Sequence, residues 1–182
     1  MWHKKRKGIK GVLMNNNISI VNVRCLLAIL GILSLMSLGG ALYLQFVHHQ
    51  DPCPLCILQR YAYVWIAVCA FRGAFTRRPR VRCIAATGIL IAAAGGLATA
   101  ARQLWLLQHP TFHCGFDALQ PIVDHFPLAH LWPSAFKVAG FCETVYPPIL
   151  GLSLPAWSLV ALLLIFAAAA FALWRSVSQL RQ

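Results

Sequence analysis

Four apolar stretches, at about 25–47, 55–73, 83–104 and 152–174, constrain this chain more than any other feature. Each is close to the ~20 residues that a helix rising ~1.5 Å per residue needs to cross a hydrocarbon core ~30 Å thick. A lone strand could not satisfy its backbone in lipid, so helices are the economical reading. The second stretch is the weakest, because Arg60 interrupts it. Composition agrees: with 59% hydrophobic and 11% charged residues, a soluble fold would have too little polar surface to cover it. The expected fold is an all-α membrane protein, a bundle of four transmembrane helices forming one integral membrane domain over residues 1–182.

Charge sets the orientation. A net charge of +12 would suggest nucleic acid in a soluble protein, but thirteen of the sixteen basic residues flank alternate ends of the spans. Lys4, Lys5, Arg6, Lys7, Lys10 and Arg24 precede the first span, Arg72, Arg77, Arg78, Arg80 and Arg82 lie between the second and third, and Arg175 and Arg181 follow the fourth. That is the positive-inside pattern, so both termini are expected in the cytoplasm and no nucleic-acid partner is expected. All four acidic residues, Asp51, Asp117, Asp124 and Glu143, fall in the remaining two loops, at about 48–54 and 108–150, which should face outward. The first span has a basic flank and small residues at Gly39, Gly40 and Ala41, as a signal peptide does, but its uncharged run is longer than the usual 7 to 15 residues and reads as a retained span. Met14 offers a second start, and the basic segment ahead of it reads as a topological anchor.

The turn "RGAFTRRPRVR" is short and carries Pro79, so spans two and three should form an antiparallel hairpin whose arginines meet lipid headgroups. The long outer loop holds six of the ten prolines and cannot be one helix. Within it, "PIVDHFPLAHLW" suits a short segment lying on the membrane surface. Ser153 is expected to cap the last span, with Pro155 in its first turn.

Topology divides the seven cysteines. Cys25, Cys69 and Cys83 lie in spans or near the inner face and read as small buried hydrophobes kept reduced. Cys69 is about 20 Å deeper than Cys56 on helical geometry and cannot join it. Cys53, Cys56, Cys114 and Cys142 form two pairs on the outer, oxidising side. Pro54 fits the first turn of the second span, which leaves both sulfurs of Cys53 and Cys56 near a helix N-terminus, where the dipole favours a thiolate. Arg60 lies one turn below Cys56 on the same face, adding a cation that makes Cys56 a better leaving group. Snorkelling is the plain reading of Arg60, but its register with the dithiol favours a functional one.

Other readings of the four outer cysteines stay open on spacing alone. With His113 they could supply a closed zinc site in a structural membrane protein. Cys114 and Cys142 could be a structural staple worth about 3 to 4 kcal/mol, or a second pair exchanging with the first. No histidine follows Cys56 as haem attachment requires, and nothing resembles a nucleotide loop or a paired-carboxylate site.

Taken together, "CPLCILQR" opening the second span, "AARQLWLLQH" closing the third, "FHCGFD" and "GFCET" in the long loop and "GLSLPAW" opening the fourth resemble the DsbB-type disulfide bond formation proteins over nearly the whole chain. The resemblance implies a multi-pass protein of the bacterial inner membrane with its active cysteines on the periplasmic side. It implies that the chain reoxidises a periplasmic thioredoxin-like partner of DsbA type and passes two electrons to membrane quinone, ubiquinone or menaquinone, with no metal. By matching positions, the resemblance implies that Cys114 forms the mixed disulfide with the partner, Cys142 exchanges with Cys53, and Cys56 faces the quinone, with Arg60 and His109 at the quinone site. Gln59 departs from the acidic residue of some relatives, which leaves its role open. A partner at about −120 mV is a strong oxidant, so its reoxidation must be coupled to a better acceptor. A lipid-soluble acceptor explains a dithiol at the mouth of a membrane helix. Arg102 reads as a snorkelling residue and Lys137 as a solvated one. A vitamin K epoxide reductase-like enzyme is the nearest alternative, but its shuttle cysteines would be expected ahead of the Cys-x-x-Cys rather than after it.

Overall fold

The structure, a computed structural model, describes residues 2–109, 116–140 and 150–181. Among the described residues seven helices follow one another: α1 (Trp2–His48), α2 (Pro54–Phe75), α3 (Pro79–Gln108), α4 (Phe116–Asp124), α5 (Pro127–Leu131), α6 (Pro133–Phe136) and α7 (Leu154–Leu180). Four of them are long and apolar enough to cross a membrane: α1 from Val23 onward, α2, α3 and α7. Proline sets most of the starts. It occupies the first turn of α2, α3, α5, α6 and α7, where its missing N–H would have had no partner in any case. Ser153 stands at the N-cap of α7 as the sequence suggests, but its side chain makes no capping hydrogen bond. Proline at the start fixes the entry angle there without it.

The long helices pack in chain order, α1 on α2, α2 on α3 and α3 on α7, and a smaller interface between α1 and α7 closes the bundle. Leu27, Leu30, Ile66, Ile89, Leu162 and Ile165 fill the centre, interleaved with Ala70, Ala93, Ala100, Ala169 and Ala172. Small residues matter because lipid gives helices no hydrophobic reason to associate; close approach must supply dispersion contacts instead. At Gly73 a Cβ would stand 2.9 Å from the Leu27 side chain and 3.0 Å from Ala85, so α1, α2 and α3 converge on that glycine. Large apolar side chains such as Met36, Trp65, Ile84, Ile91, Leu164 and Trp174 point outward instead, as lipid-facing residues do. Cys69 packs against Gly88 and is half-buried, as is Cys83, but Cys25 is exposed on α1, which corrects the expectation that it is buried.

At one end, the segment 119–140 folds back over α2. Val123 and Val138 bury Ile57, and the Tyr61 ring packs edge-on against Phe126 and Phe136, with centroids 5.1 and 5.3 Å away. Tyr61 Oη accepts the Ala129 N–H at 3.2 Å, and Asp124 Oδ1 accepts the Val138 N–H at 3.0 Å. Ile122, Leu131 and Trp132 remain exposed on this cover, consistent with a surface-lying segment.

Candidate functional site

The cover and the N-terminus of α2 meet at the dithiol. Cys53 is the N-cap of α2, and its sulfur takes the place of the usual hydroxyl or carboxylate by accepting the Cys56 N–H at 3.2 Å. Pro54 at the first helical position holds the chain in that turn, so the two sulfurs lie 2.7 Å apart. Cys53 is almost fully buried, whereas Cys56 is half-buried. The hydrogen bond with Cys56, together with burial, pushes the Cys53 thiol well above the ordinary cysteine range.

A side chain from α3 completes the sulfur environment. Gln103 donates through Nε2 to Cys56 Sγ at 3.1 Å and to Cys53 Sγ at 3.4 Å. Its Oε1 accepts from Gln59 Nε2 at 3.0 Å, which turns the amide so that its donors face the sulfurs. Both glutamines are buried. Gln59, whose role the sequence leaves open, thus orients the donor.

Arg60 is buried on the same helix, and its charge acts on the Cys56 sulfur. Its hydrogen bonds go elsewhere: Nη1 donates to Gln45 Oε1 of α1 at 2.7 Å and to the Ala135 carbonyl of α6. Gln45 in turn donates to the Ser134 carbonyl at 2.7 Å. Arg60 and Gln45 therefore pin α6 against α1 and α2. A second tie is backbone: the N–H groups of Ala139 and Gly140 both reach the Pro52 carbonyl, at 3.1 and 3.0 Å. Gly140 leaves no room for a side chain, since a Cβ would fall 2.5 Å from the Asp51 carbonyl oxygen.

Beside the dithiol, at the seam between α1 and α7, is a cavity of about 400 Å³. Cys53, Cys56, Gln59, Arg60 and Gln103 form its polar end, and Leu44, Tyr63, Leu154, Pro155 and Trp157 contribute to its largely apolar wall. Pockets for small ligands combine an apolar wall with a few converging polar groups in this way.

Of the residues singled out in the sequence, the structure brings Cys53, Cys56 and Arg60 to this cavity. His109 is placed apart from its wall, exposed at the C-cap of α3, where its ring stacks on Trp105 at 4.6 Å and its Nδ1 lies 3.0 Å from the Trp105 carbonyl. Cys114, Cys142 and His113 lie outside the described residues. Arg102 and Lys137 are exposed. Sequence reasoning missed Gln45 and Gln103. Gln103 carried a usable signal, because it sits three positions from both Ala100 and Leu106 on the buried face of α3.

The model of the family described as "Disulfide bond formation protein DsbB" matches residues 23–172 of this chain. A protein called disulfide bond formation protein B from Burkholderia thailandensis is 52% identical over 169 residues, covering 92% of this chain and all of that relative. Another from Burkholderia pseudomallei is 50% identical over the same length. Disulfide bond formation protein B 1 from Pseudomonas savastanoi pv. phaseolicola is 49% identical over 150 residues, covering 82% of this chain and 89% of the relative. With a half-buried dithiol at the head of an apolar helix and likeness of this extent, the chain belongs to the DsbB family of disulfide bond formation proteins.

Proposed function

We propose that this chain is a protein-dithiol:quinone oxidoreductase of the bacterial inner membrane, reoxidising a periplasmic dithiol oxidase of DsbA type. The observation that carries the reading is the dithiol opening onto a largely apolar cavity between membrane-length helices. A soluble acceptor would not require that placement. In the proposed orientation both termini are cytoplasmic, and the α2 N-terminus and the 108–150 loop are periplasmic, as the positive-inside distribution favours.

The sulfur chemistry balances as four thiol–disulfide exchanges. A thiolate of the partner attacks a Cys114–Cys142 disulfide at Cys114 and releases Cys142 as a thiolate; the partner's second thiol then resolves the mixed disulfide and leaves oxidised. Cys142 attacks Cys53 of a Cys53–Cys56 disulfide, releasing Cys56. Cys114 closes back onto Cys142, freeing Cys53. The net result is a reduced Cys53–Cys56 pair carrying the partner's two electrons, with two protons to release. Only one residue, Phe141, separates Gly140, bonded to the Pro52 carbonyl, from Cys142, which supports exchange at neighbouring Cys53.

The cavity fits a quinone in chemistry: Arg60 and Gln59 could meet ring oxygens with donors, and Leu44, Leu154 and Trp157 could pack on apolar ring and tail. When bound there, a quinone accepts two electrons and two protons. The chain's own residues prepare the donor. Gln103 and the α2 N-terminus stabilise the sulfur released at Cys56, Arg60 adds positive charge, and the 119–140 cover limits water. His109 follows the lining residue Leu107 by two positions and enters this reading through the family resemblance alone.

The test is electron transfer in lipid or detergent from reduced partner to quinone. Cys56→Ser is expected to lose turnover at the quinone step and Cys114→Ser at the partner step, each by at least about a thousandfold. Normal turnover in either variant would refute the relay.

A further inference from the structure

At the end of the bundle opposite the dithiol, Arg82 is buried to 1% exposure, yet its Nε and Nη1 have no hydrogen-bond partner among the described residues. Arg24 lies beside it. Arg24 and Arg82 stand one turn before Leu27 and Ala85, the two residues that meet across Gly73, so both project into the layer next to that three-helix contact. Arg24 is half-buried and donates through Nε to the Ala74 carbonyl at 2.7 Å, and the two guanidinium charges repel.

In sequence all four acidic residues fall between α1 and α2 or between α3 and α7, away from the α2–α3 turn. The two whose side chains are described, Asp51 beside Gly140 and Asp124 bonded to Val138, lie at the dithiol end. The same corner also presents the N-terminus of α3, whose N-cap Arg78 makes no side-chain cap and whose first-turn N–H groups point out of the helix. Arg77, Arg78 and Arg80 surround it, exposed. Two guanidinium groups, a helix N-terminus and unpaired buried donors together specify an anion with several acceptor oxygens, and the planar fork of arginine suits phosphate.

We propose that Arg82 and Arg24, at the junction of α1, α2 and α3, form a site for a phosphate group, supplied by the headgroup of an anionic phospholipid in the leaflet at that end. The half-buried Arg24 is the side from which the headgroup enters, and Arg82 is the inner contact. A phosphate between them turns a repulsive pair into two attractive ones and supplies acceptors for the orphaned nitrogens. Basic pockets between transmembrane helices bind lipid headgroups by this chemistry. Free inorganic phosphate shares it and is the alternative source.

The full chain, delipidated in neutral detergent, is the material for the test. Phosphatidylglycerol at about a hundred times its Kd should raise the thermal midpoint by on the order of 5–10 °C, and phosphatidylcholine of the same chains should not. Inorganic phosphate giving the same rise would keep the site but replace the lipid as its source. Arg24→Gln and Arg82→Lys should each weaken phosphatidylglycerol binding at least tenfold, whereas Arg181→Gln should leave it unchanged. Native mass spectrometry of the wild type needs no variant to fold, and should retain one phosphatidylglycerol under activation that strips phosphatidylcholine. Equal release of the two lipids, a midpoint insensitive to both phosphatidylglycerol and phosphate, or a shift undiminished in Arg24→Gln would overturn the site.

Discussion

Arg60 and Arg82 are buried in the same bundle to nearly the same depth, 5% and 1% exposed, at opposite ends of the α2–α3 hairpin. Arg60 has partners from two other elements, Gln45 of α1 and the Ala135 carbonyl of α6, and it has them because the chain folds back over that end. Arg82 is enclosed where α1, α2 and α3 meet, with a second arginine beside it, and among the described residues two of its nitrogens go unmatched. Burial of a cation is therefore no single thing. At the dithiol end the protein supplies the counterparts and the charge is available to sulfur; at the other end the counterpart must come from the surroundings.

The largest effect that could break this comparison is on Arg60→Met. Removal orphans the Gln45 and Ala135 oxygens, at about 1–3 kcal/mol each, and loosens α6, so we expect loss of stability by chemical denaturation and a fall of at least about a hundredfold in quinone reduction. Arg82→Met in lipid-free detergent is expected to change stability by less than about 1 kcal/mol or to raise it, because no partner is abandoned. Equal destabilisation by the two substitutions would erase the distinction. Next in size is Gln103→Leu. It removes the donors to both sulfurs and strands the Gln59 amide, and should slow formation of the Cys53–Cys56 disulfide by about tenfold in stopped-flow measurements without changing reaction of the partner at Cys114. The smallest expected effect is from Gly140→Ala. Its methyl must push the segment off the Asp51 carbonyl, giving a two- to fivefold slower internal exchange and faster hydrogen exchange at Ala139 and at position 140 itself. No change at those amides would mean that the backbone tie to Pro52 does not hold the cover.

Much of this was legible in sequence for definable reasons. Four apolar runs and the proline at the start of α2, α3 and α7 encode local facts, and the long helices appear where those signals fall. The register of Cys53, Cys56 and Arg60 is also local, so their convergence on one cavity could be anticipated from helical geometry. What escaped was long-range. Gln45 and Gln103 belong to the site only because α1 and α3 pack on either side of α2, and glutamine in an apolar run carries no charge to draw notice. Arg60 was expected to serve sulfur and ligand alone; its second role, holding α6, depends on a loop whose folding back no local pattern announces. Arg82 was read as one of several topological arginines, since sequence cannot say which member of a basic turn is buried without a partner.

The central claim is that the Cys53–Cys56 pair hands two electrons to a lipid-soluble quinone in the adjoining cavity. Its most direct test is an anaerobic titration of the reduced Cys114→Ser/Cys142→Ser chain with quinone, following quinone absorbance and, by alkylation and mass spectrometry, the state of each cysteine. We expect one quinone reduced for each Cys53–Cys56 disulfide formed, with Cys25, Cys69 and Cys83 still reduced. A pair that stays reduced while quinone is in excess, or quinone reduction that persists after Cys56→Ser, would contradict the account.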